Sequence, residues 1–196
     1  MDLKVYREYT KVTRRFKEAE LVLKNAKIIN VFTNEIITGD IAIEDGMIVG
    51  IGNYEGKQEH DMTGKYVCPG FIDSHLHLES TLVTPKELVT VASRHGTTTF
   101  IVDPHESANV SGLAGINYIL DQTEDASANV FVMMPSCVPA TSIDDNGCTL
   151  TAEDMTQYLD NERILGLGEV MDYISVVNAD PVSYTHLRAH ETSLHL

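Results

Sequence analysis

The sequence contains no run of apolar residues long enough to cross a lipid bilayer, which takes about 20 of them, so we expect no transmembrane helix. Residues 1–7 have no apolar core and no small-residue cleavage site, and therefore do not resemble a secretory signal. Basic residues are scarce: 14 Lys and Arg stand against 29 Asp and Glu, and the formal net charge is -15. Nucleic acids and acidic membranes need Lys and Arg to neutralise their phosphates, so neither is an expected partner.

Cysteine is also scarce, and the three residues Cys68, Cys137 and Cys148 show no zinc-ribbon spacing. They indicate free thiols in a reducing cytoplasm. A glycine-rich phosphate loop is missing as well, which disfavours a doubly wound nucleotide-binding fold. The length of 196 residues and the apolar content of 43% are typical of a soluble globular protein, as one domain or as a small domain with part of a larger one.

Residues 1–65 predict a short helix followed by a small β-rich domain. Short apolar runs lie at 21–23, 28–29, 36–37, 41–43 and 48–51. Asp45 and Gly46 separate the last two runs, and Asp-Gly is a strong hairpin signal because both central turn residues need positive φ. We predict a β meander that is part of a small β-sandwich, since this segment is too small to bury a complete core unaided.

Residues 66–181 show a different pattern, in which β-rich apolar runs alternate with segments of helical spacing. Strands are predicted at 66–73, 97–102, 130–134 and 164–168, and helices from 84, at 111–122 and from 151. The first helix is expected to begin with a capping box of Thr84 and Glu87 and to end at Gly96. This alternation indicates parallel strands joined by right-handed crossovers. We therefore predict an α/β fold in which residues 66–181 form the first half, truncated, of a (β/α)8 TIM-type barrel.

Polar residues follow each predicted strand, which is where a barrel places its active site. His75 and His77 are two residues apart on a strand, so both side chains point to the same face and can bind one metal ion. Glu169 follows the fourth strand and could reach the same ion with its carboxylate. The alternative interpretation is a pair of ordinary histidines, with the glutamate paired to a nearby Arg or Lys.

The second strand is followed by Asp103, His105 and Glu106, which are the catalytic candidates. Asp103 could orient a ligand imidazole, while His105 and Glu106 could contact the substrate or move protons. The alternative is a polar loop in which Asp103 caps the residues that follow it. Cys137 lies after the third strand and is expected to be a packed pocket wall, because no basic residue nearby would favour its thiolate.

Together these residues resemble the amidohydrolase superfamily and, within it, the bacterial-type adenine deaminases, over essentially residues 1–181. The stretch 61–73 resembles the superfamily's approach to its first barrel strand. The more specific stretches are 77–80 leading to 84–85, 96–99 leading to 103–110, and 134–141. By this resemblance His75 and His77 match the first-strand metal ligands and Glu169 matches a bridging carboxylate. Further ligands and a catalytic aspartate would lie on strands that this chain lacks.

The resemblance implies a hydrolase that converts adenine to hypoxanthine and ammonia with a metal-activated hydroxide, in purine salvage or catabolism. It also implies a binuclear divalent metal, manganese or iron with zinc compatible, a cytoplasmic location, and a homo-oligomer at full length. Adenine carries no phosphate, so an acidic protein can bind it. Two alternatives stay open: another amidohydrolase that acts on cyclic amides, and a non-catalytic metal-binding fragment. We expect the chain itself to be inactive.

The composition shifts abruptly at Val182, and three of the eight histidines, His186, His190 and His195, lie beyond it. Residues 182–192 resemble the translation of a sequencing-library transposon adapter. We therefore expect residues 182–196 to be an artefactual tail without function, and the authentic sequence to stop near Pro181. Longer reads of the locus test this, because an uninterrupted frame that retains the tail would contradict it.

Overall fold

The computed structural model describes residues 2–141 and 143–178, and the chain divides into two compact units, Met1–Pro69 and Gly70–Leu196. Of the helices that the structure describes, none is long and apolar enough to cross a membrane. The predicted tail at 182–196 lies outside the described residues. The sequence predicted a domain boundary after residue 65, and the structure divides the chain after Pro69.

The first unit contains a helix followed by one mixed β-sheet. Its elements are α1 (Leu3–Thr13), β1 (Ala19–Asn30), β2 (Glu35–Glu44), β3 (Met47–Gly52), β4 (Gly56–Asp61) and β5 (Tyr66–Val67). The strand order is β3-β2-β1-β4, and β5 also pairs with β1. The meander is confirmed for the first three strands, which are antiparallel, whereas β4 and β5 return to run parallel to β1.

Two of the gaps between the apolar runs of the sequence lie inside strands. β1 continues through Lys24 and Asn25, where the pairing with β2 shifts register and Asn25 adopts a φ of 59°. β2 likewise continues through the polar residues 38–40. The hairpin prediction is confirmed, because Asp45 and Gly46 have φ values of 50° and 71° between β2 and β3.

A buried carboxylate explains why the bulge in β1 is stable. Asp40 is 5% exposed, and its oxygens accept hydrogen bonds from the Lys24 Nζ at 2.8 Å, the Asn25 amide at 2.9 Å and the Tyr54 amide at 3.0 Å. Burial by itself would raise the pKa of Asp40. The hydrogen bonds from Lys24 and from the two amides outweigh that effect and hold the pKa below its usual value.

This arrangement predicts an acid-dependent loss of stability through Asp40. Because the pKa is lower in the folded state, the stabilisation is present above the unfolded value of about 3.9 and is lost as pH falls through the folded pKa. At neutral pH, Asp40→Asn should lower the free energy of unfolding by about 2 kcal/mol, and it should flatten the dependence of stability on pH below about pH 5. Urea unfolding followed by circular dichroism at several pH values measures both.

The control for this prediction is Glu35→Gln, an exposed residue of the same strand. A wild-type and an Asp40→Asn protein with equal slopes of stability against pH would contradict the role of Asp40.

The second unit alternates parallel strands with helices. Its elements are β6 (Phe71–Leu76), α2 (Pro85–Ser93), β7 (Thr97–Val102), α3 (His105–Ser111), α4 (Leu113–Gln122), β8 (Asn129–Met134), α5 (Ala152–Met155), β9 (Ile164–Leu167) and α6 (Tyr173–Asn178), with 3-10 turns at Glu79–Thr81 and Thr156–Tyr158. All neighbouring strands are parallel, in the order β6-β7-β8-β9. Each crossover advances by one strand in the same direction, as in a singly wound barrel. In a doubly wound sheet the direction of strand addition reverses.

The core of this unit lies between the outer face of the sheet and the helices. Along β7 and β8 the buried residues alternate, so that Phe100, Val102, Val130, Val132 and Met134 face the helices. The helical and loop residues that pack in the same cluster include Leu78, Val89, Ala108, Ile116, Ile119 and Tyr158. This packing fixes the carboxyl ends of the strands, where the polar residues lie.

Several predicted boundaries in this unit were wrong. The strand predicted at 66–73 is two strands, β5 in the first sheet and β6 in the second, because Pro69 and Gly70 interrupt it. Thr84 precedes α2, but its side chain makes no capping hydrogen bond, and the helix ends at Ser93 before Gly96. The helix expected at 111–122 is preceded by α3, which was not predicted.

Candidate metal centre

Two histidines mark the carboxyl end of β6. His75 lies in the strand and His77 follows it directly, so the two-residue period of the strand brings their rings to one side. The ring centroids are 4.8 Å apart, and the two Nε2 atoms are 3.1 Å apart. The shared orientation predicted from the spacing is therefore present.

A glutamate that follows the strand at the other edge of the sheet lies close to the two histidines. Glu169 follows β9, and its Oε1 lies 3.6 Å from the His77 Nε2 and 4.0 Å from the His75 Nε2. The ligand atoms of these three residues all lie within 4.8 Å of one another. The structure thus brings together the three residues that the sequence singled out as metal ligands.

The hydrogen bonding of His77 tests whether this cluster suits a cation. Its Nδ1 lies 2.7 Å from the backbone carbonyl oxygen of Asp103, which can only accept, so Nδ1 carries a proton and, in the neutral ring, Nε2 presents a lone pair. That lone pair faces a second imidazole nitrogen and a carboxylate oxygen. A divalent cation stabilises three electron-rich atoms that are directed at one another. In metal sites the other ring nitrogen of a ligand histidine typically donates a hydrogen bond, as Nδ1 of His77 does here.

Asp103 and His105 lie beside this cluster, at the end of β7. Asp103 is 1% exposed, and its Oδ1 lies 3.4 Å from the His105 Nδ1, which is 3.7 Å from the Glu169 Oε1. The neighbouring Asp103 carboxylate raises the pKa of His105, against the opposite effect of burial. Asp103, His105 and Glu169 form a second group whose ligand atoms lie within 4.8 Å of one another.

The close approach of Asp103 to β9 depends on Gly168. The Asp103 Oδ2 accepts a hydrogen bond from the Glu169 amide at 3.1 Å. A Cβ on Gly168 would lie 2.3 Å from that same Oδ2 and 3.2 Å from the Met134 carbonyl oxygen. Sequence analysis missed this role, although a glycine between a buried strand and a candidate ligand was the available signal.

Glu106 is held by the loop that follows His77. The Glu79 Oε1 accepts hydrogen bonds from the Glu106 amide at 3.1 Å and the Ser107 amide at 3.2 Å, and the Ser80 hydroxyl donates to the Glu106 carboxylate. Glu79 therefore satisfies the first amides of α3. Of the two metal-compatible groups found in the described residues, neither includes Glu106. The role of Glu79 was missed because α3 was not predicted.

The remaining polar residues at the strand ends have structural contacts. The Ser136 hydroxyl donates to the Glu169 carbonyl oxygen, and the Asp172 carboxylate accepts from the Ser175 amide and hydroxyl at the start of α6. Cys137 is buried, and its place in a pocket wall stays a prediction.

The amidohydrolase family model matches residues 66–191, which is more than half of the chain. The chain belongs to the amidohydrolase family. The match covers all the strands and candidate ligands of the second unit. It also extends into the segment from Val182 that the sequence predicts to be artefactual, and that stays a prediction.

Curated relatives of this amidohydrolase are named adenine deaminase. The protein from Desulfitobacterium hafniense (strain Y51) is 60% identical over 172 residues, which cover 88% of this chain and 30% of the relative. The protein from Clostridium acetobutylicum is 54% identical over 164 residues, covering 84% of this chain and 29% of the relative. The chain thus spans about 30% of the length of these relatives.

A solved structure confirms the predicted fold. Atrazine chlorohydrolase TrzN from Arthrobacter aurescens TC1, complexed with zinc, superposes with a TM-score of 0.55 at 14% sequence identity. The match covers 87% of this chain and 58% of that one. The four parallel strands of the second unit are therefore part of an α/β amidohydrolase barrel, preceded by a β-sheet unit. For the first unit the structure describes a single sheet, where the sequence predicted part of a sandwich.

Proposed function

We propose that this amidohydrolase acts in the hydrolytic deamination of adenine to hypoxanthine and ammonia. The proposal rests on one observation. His75, His77 and Glu169 come from the two edge strands of a four-stranded parallel sheet, and their ligand atoms lie close together. The adenine deaminase relatives support the choice of substrate. The product and substrate place the reaction in purine salvage or catabolism.

His75, His77 and Glu169 would hold a divalent ion through two imidazole nitrogens and one carboxylate. This donor set suits manganese, iron or zinc, and the resemblance to adenine deaminases favours manganese or iron in a binuclear centre with Glu169 as the bridge. When bound, such an ion lowers the pKa of a water molecule and supplies hydroxide near neutral pH. The hydrogen bond from His77 to the Asp103 carbonyl orients the ligand ring.

The side chains that follow β7 would transfer protons and position Glu169. In the proposed reaction a water oxygen bonds to the ring carbon that bears the amino group, the carbon–nitrogen bond breaks, and the nitrogen leaves as ammonia after gaining a proton. Glu106, held by Ser80, is proposed to carry that proton, with His105 as the neighbouring group. Asp103 positions Glu169 through its backbone amide.

The other proposed properties follow from the same assignment. Adenine is uncharged at neutral pH, so the acidic composition does not oppose its binding. Three free cysteines support a reducing, cytoplasmic location. At the length of its relatives the protein is proposed to be a homo-oligomer, which size-exclusion chromatography with light scattering tests.

The proposal is tested with a chimera, because the chain spans about 30% of its relatives. Residues 1–178 of this chain replace the matching segment of the Desulfitobacterium hafniense adenine deaminase, and the chimera is supplied with Mn²⁺. We expect ammonia release from adenine, and loss of at least about 100-fold in rate when His77→Asn is introduced. The chain alone is expected to release no ammonia.

Two outcomes of this experiment separate the proposal from its alternatives. A folded chimera that opens hydantoin or dihydroorotate but leaves adenine intact would replace the deaminase proposal with a cyclic amide hydrolase. A folded chimera that binds Mn²⁺ without any turnover would favour a non-catalytic metal-binding segment. A chimera with His95→Gln, an exposed histidine of the same unit, is the matched control and should keep full activity.

A further inference from the structure

We propose that Ser136 is a positioning residue for Glu169, the carboxylate assigned to the metal centre. The inference rests on the proposed function and deepens it, because it identifies the group that holds this ligand in the orientation an ion needs. Ser136 follows β8, the strand that lies between β7 and β9 in the sheet. Its hydroxyl donates a hydrogen bond to the backbone carbonyl oxygen of Glu169.

The Glu169 side chain depends on its backbone for orientation. The side chain is 43% exposed, and its Oε1 lies within 4.0 Å of ring nitrogens of His75, His77 and His105. A glutamate side chain in contact with solvent has several rotamers open to it, and ordering it costs entropy. A backbone that is fixed on both sides of Glu169 limits the positions that the carboxylate can reach.

The backbone of Glu169 is held from two neighbouring strands. Its amide donates to the Asp103 Oδ2 at 3.1 Å, on the side of β7, and its carbonyl accepts from the Ser136 hydroxyl, on the side of β8. The preceding amide, that of Gly168, donates to the Met134 carbonyl oxygen at 2.6 Å. Ser136 acts on the peptide group that follows Glu169, and the other two contacts act on the peptide groups before it.

Ser136 lies in a packed segment that fixes the position of its hydroxyl. Ser136 and Cys137 are both 2% exposed and Val138 is fully buried, and the Val138 carbonyl accepts from the Leu150 amide at 3.1 Å. The hydroxyl also lies 3.5 Å from the Cys137 Sγ, but a thiol sulfur is a weak acceptor, so the Glu169 carbonyl is its main partner. An immobilised hydroxyl of this kind can hold a metal ligand in place.

The competing explanation is that the Ser136 hydroxyl only satisfies a carbonyl group and so stabilises the fold. A role limited to stability predicts an unchanged affinity for Mn²⁺ in the folded variant, whereas a positioning role predicts a lower affinity. The experiment uses the chain with His186, His190 and His195 replaced by Gln, so that these histidines do not bind the probe. Electron paramagnetic resonance of free Mn²⁺ measures the affinity, and urea unfolding followed by circular dichroism measures stability.

We expect Ser136→Ala to weaken Mn²⁺ binding by about 10-fold while the protein stays folded, because contacts around a ligand typically carry an effect of this size. Ser136→Thr keeps the hydroxyl and should restore most of the affinity. Ser136→Cys, which replaces the hydroxyl with a weaker donor, should lower the affinity in the same direction and provides a second route if Ser136→Ala does not fold.

The matched control is Thr123→Val, which removes another buried hydroxyl of the same unit. Thr123 is 3% exposed, and its hydroxyl donates to the Ile119 carbonyl oxygen at 2.7 Å, at the end of α4. This variant should lose stability, as a structural hydroxyl would, but keep the Mn²⁺ affinity of the parent.

Each outcome supports or overturns the inference. An unchanged affinity in folded Ser136→Ala or Ser136→Cys would overturn it, as would a folded Ser136→Thr that binds as weakly as Ser136→Ala. An equal loss of affinity in Thr123→Val would also overturn it, because affinity would then follow stability. If the parent binds Mn²⁺ and His77→Asn weakens that binding, these results leave the proposed function intact. A parent that binds no Mn²⁺ would overturn both proposals.

Discussion

Replacing His77 with asparagine is expected to weaken Mn²⁺ binding at His75, His77 and Glu169 by more than about 100-fold. The change removes the Nε2 that lies 3.1 Å from the His75 Nε2 and 3.6 Å from the Glu169 Oε1. It also removes the ring that the Asp103 carbonyl holds in place. Isothermal titration calorimetry with Mn²⁺ measures the affinity directly, independently of any turnover.

The control for His77→Asn is His95→Asn, since His95 is exposed and belongs to neither metal-compatible group of the described residues. The wild-type affinity should also rise with pH, because an imidazole must be neutral to bind a metal. A His77→Asn protein that keeps wild-type affinity and a native circular dichroism spectrum would show that the histidine pair does not hold the ion.

Gly168→Ala is expected to lower the free energy of unfolding by about 3 kcal/mol. The added methyl group would lie 2.3 Å from the Asp103 Oδ2 and close to the Met134 carbonyl, so either the carboxylate or β9 must move. Glu169 is the next residue and loses its amide contact with Asp103, so Mn²⁺ affinity should also fall by about 10-fold to 100-fold. Chemical denaturation and metal titration measure the two effects separately.

The direction of the Gly168 effect is informative. At a site without a clash, Gly→Ala stabilises a protein slightly, because it restricts the unfolded chain. Leu165→Ala on β9 is the control, as its half-exposed side chain should cost much less stability. An unchanged or increased free energy of unfolding in Gly168→Ala would mean that the Asp103 carboxylate is not held against β9.

Local sequence patterns were sufficient for the features that depend on neighbouring residues. The two-residue spacing of His75 and His77 predicted their common face, because strand side chains alternate whatever the rest of the fold does. The Asp45–Gly46 turn was predicted for a similar reason, since few residues adopt positive φ. In the second unit the alternation of strands and helices, apart from α3, also followed from periodicity, and it predicted a parallel sheet.

Features that depend on distant residues were missed or placed wrongly. The break that Lys24 and Asn25 suggested is a bulge within one strand, because Asp40 of the neighbouring strand satisfies their polar groups. The first amides of α3 donate hydrogen bonds to Glu79, which lies 27 and 28 residues earlier in the sequence. No local pattern contains information on such a contact.

The metal centre combines both kinds of information. Residue type and spacing identified His75, His77 and Glu169, because few side chains bind divalent ions and strand ends bring them to one edge. The contact of Asp103 with the Glu169 amide and the role of Gly168 depend on the packing of β7 and β9 against β8. A hydrogen bond between residues 66 positions apart is set by the packing of the sheet, and so the orientation of the ligands belongs to the tertiary structure.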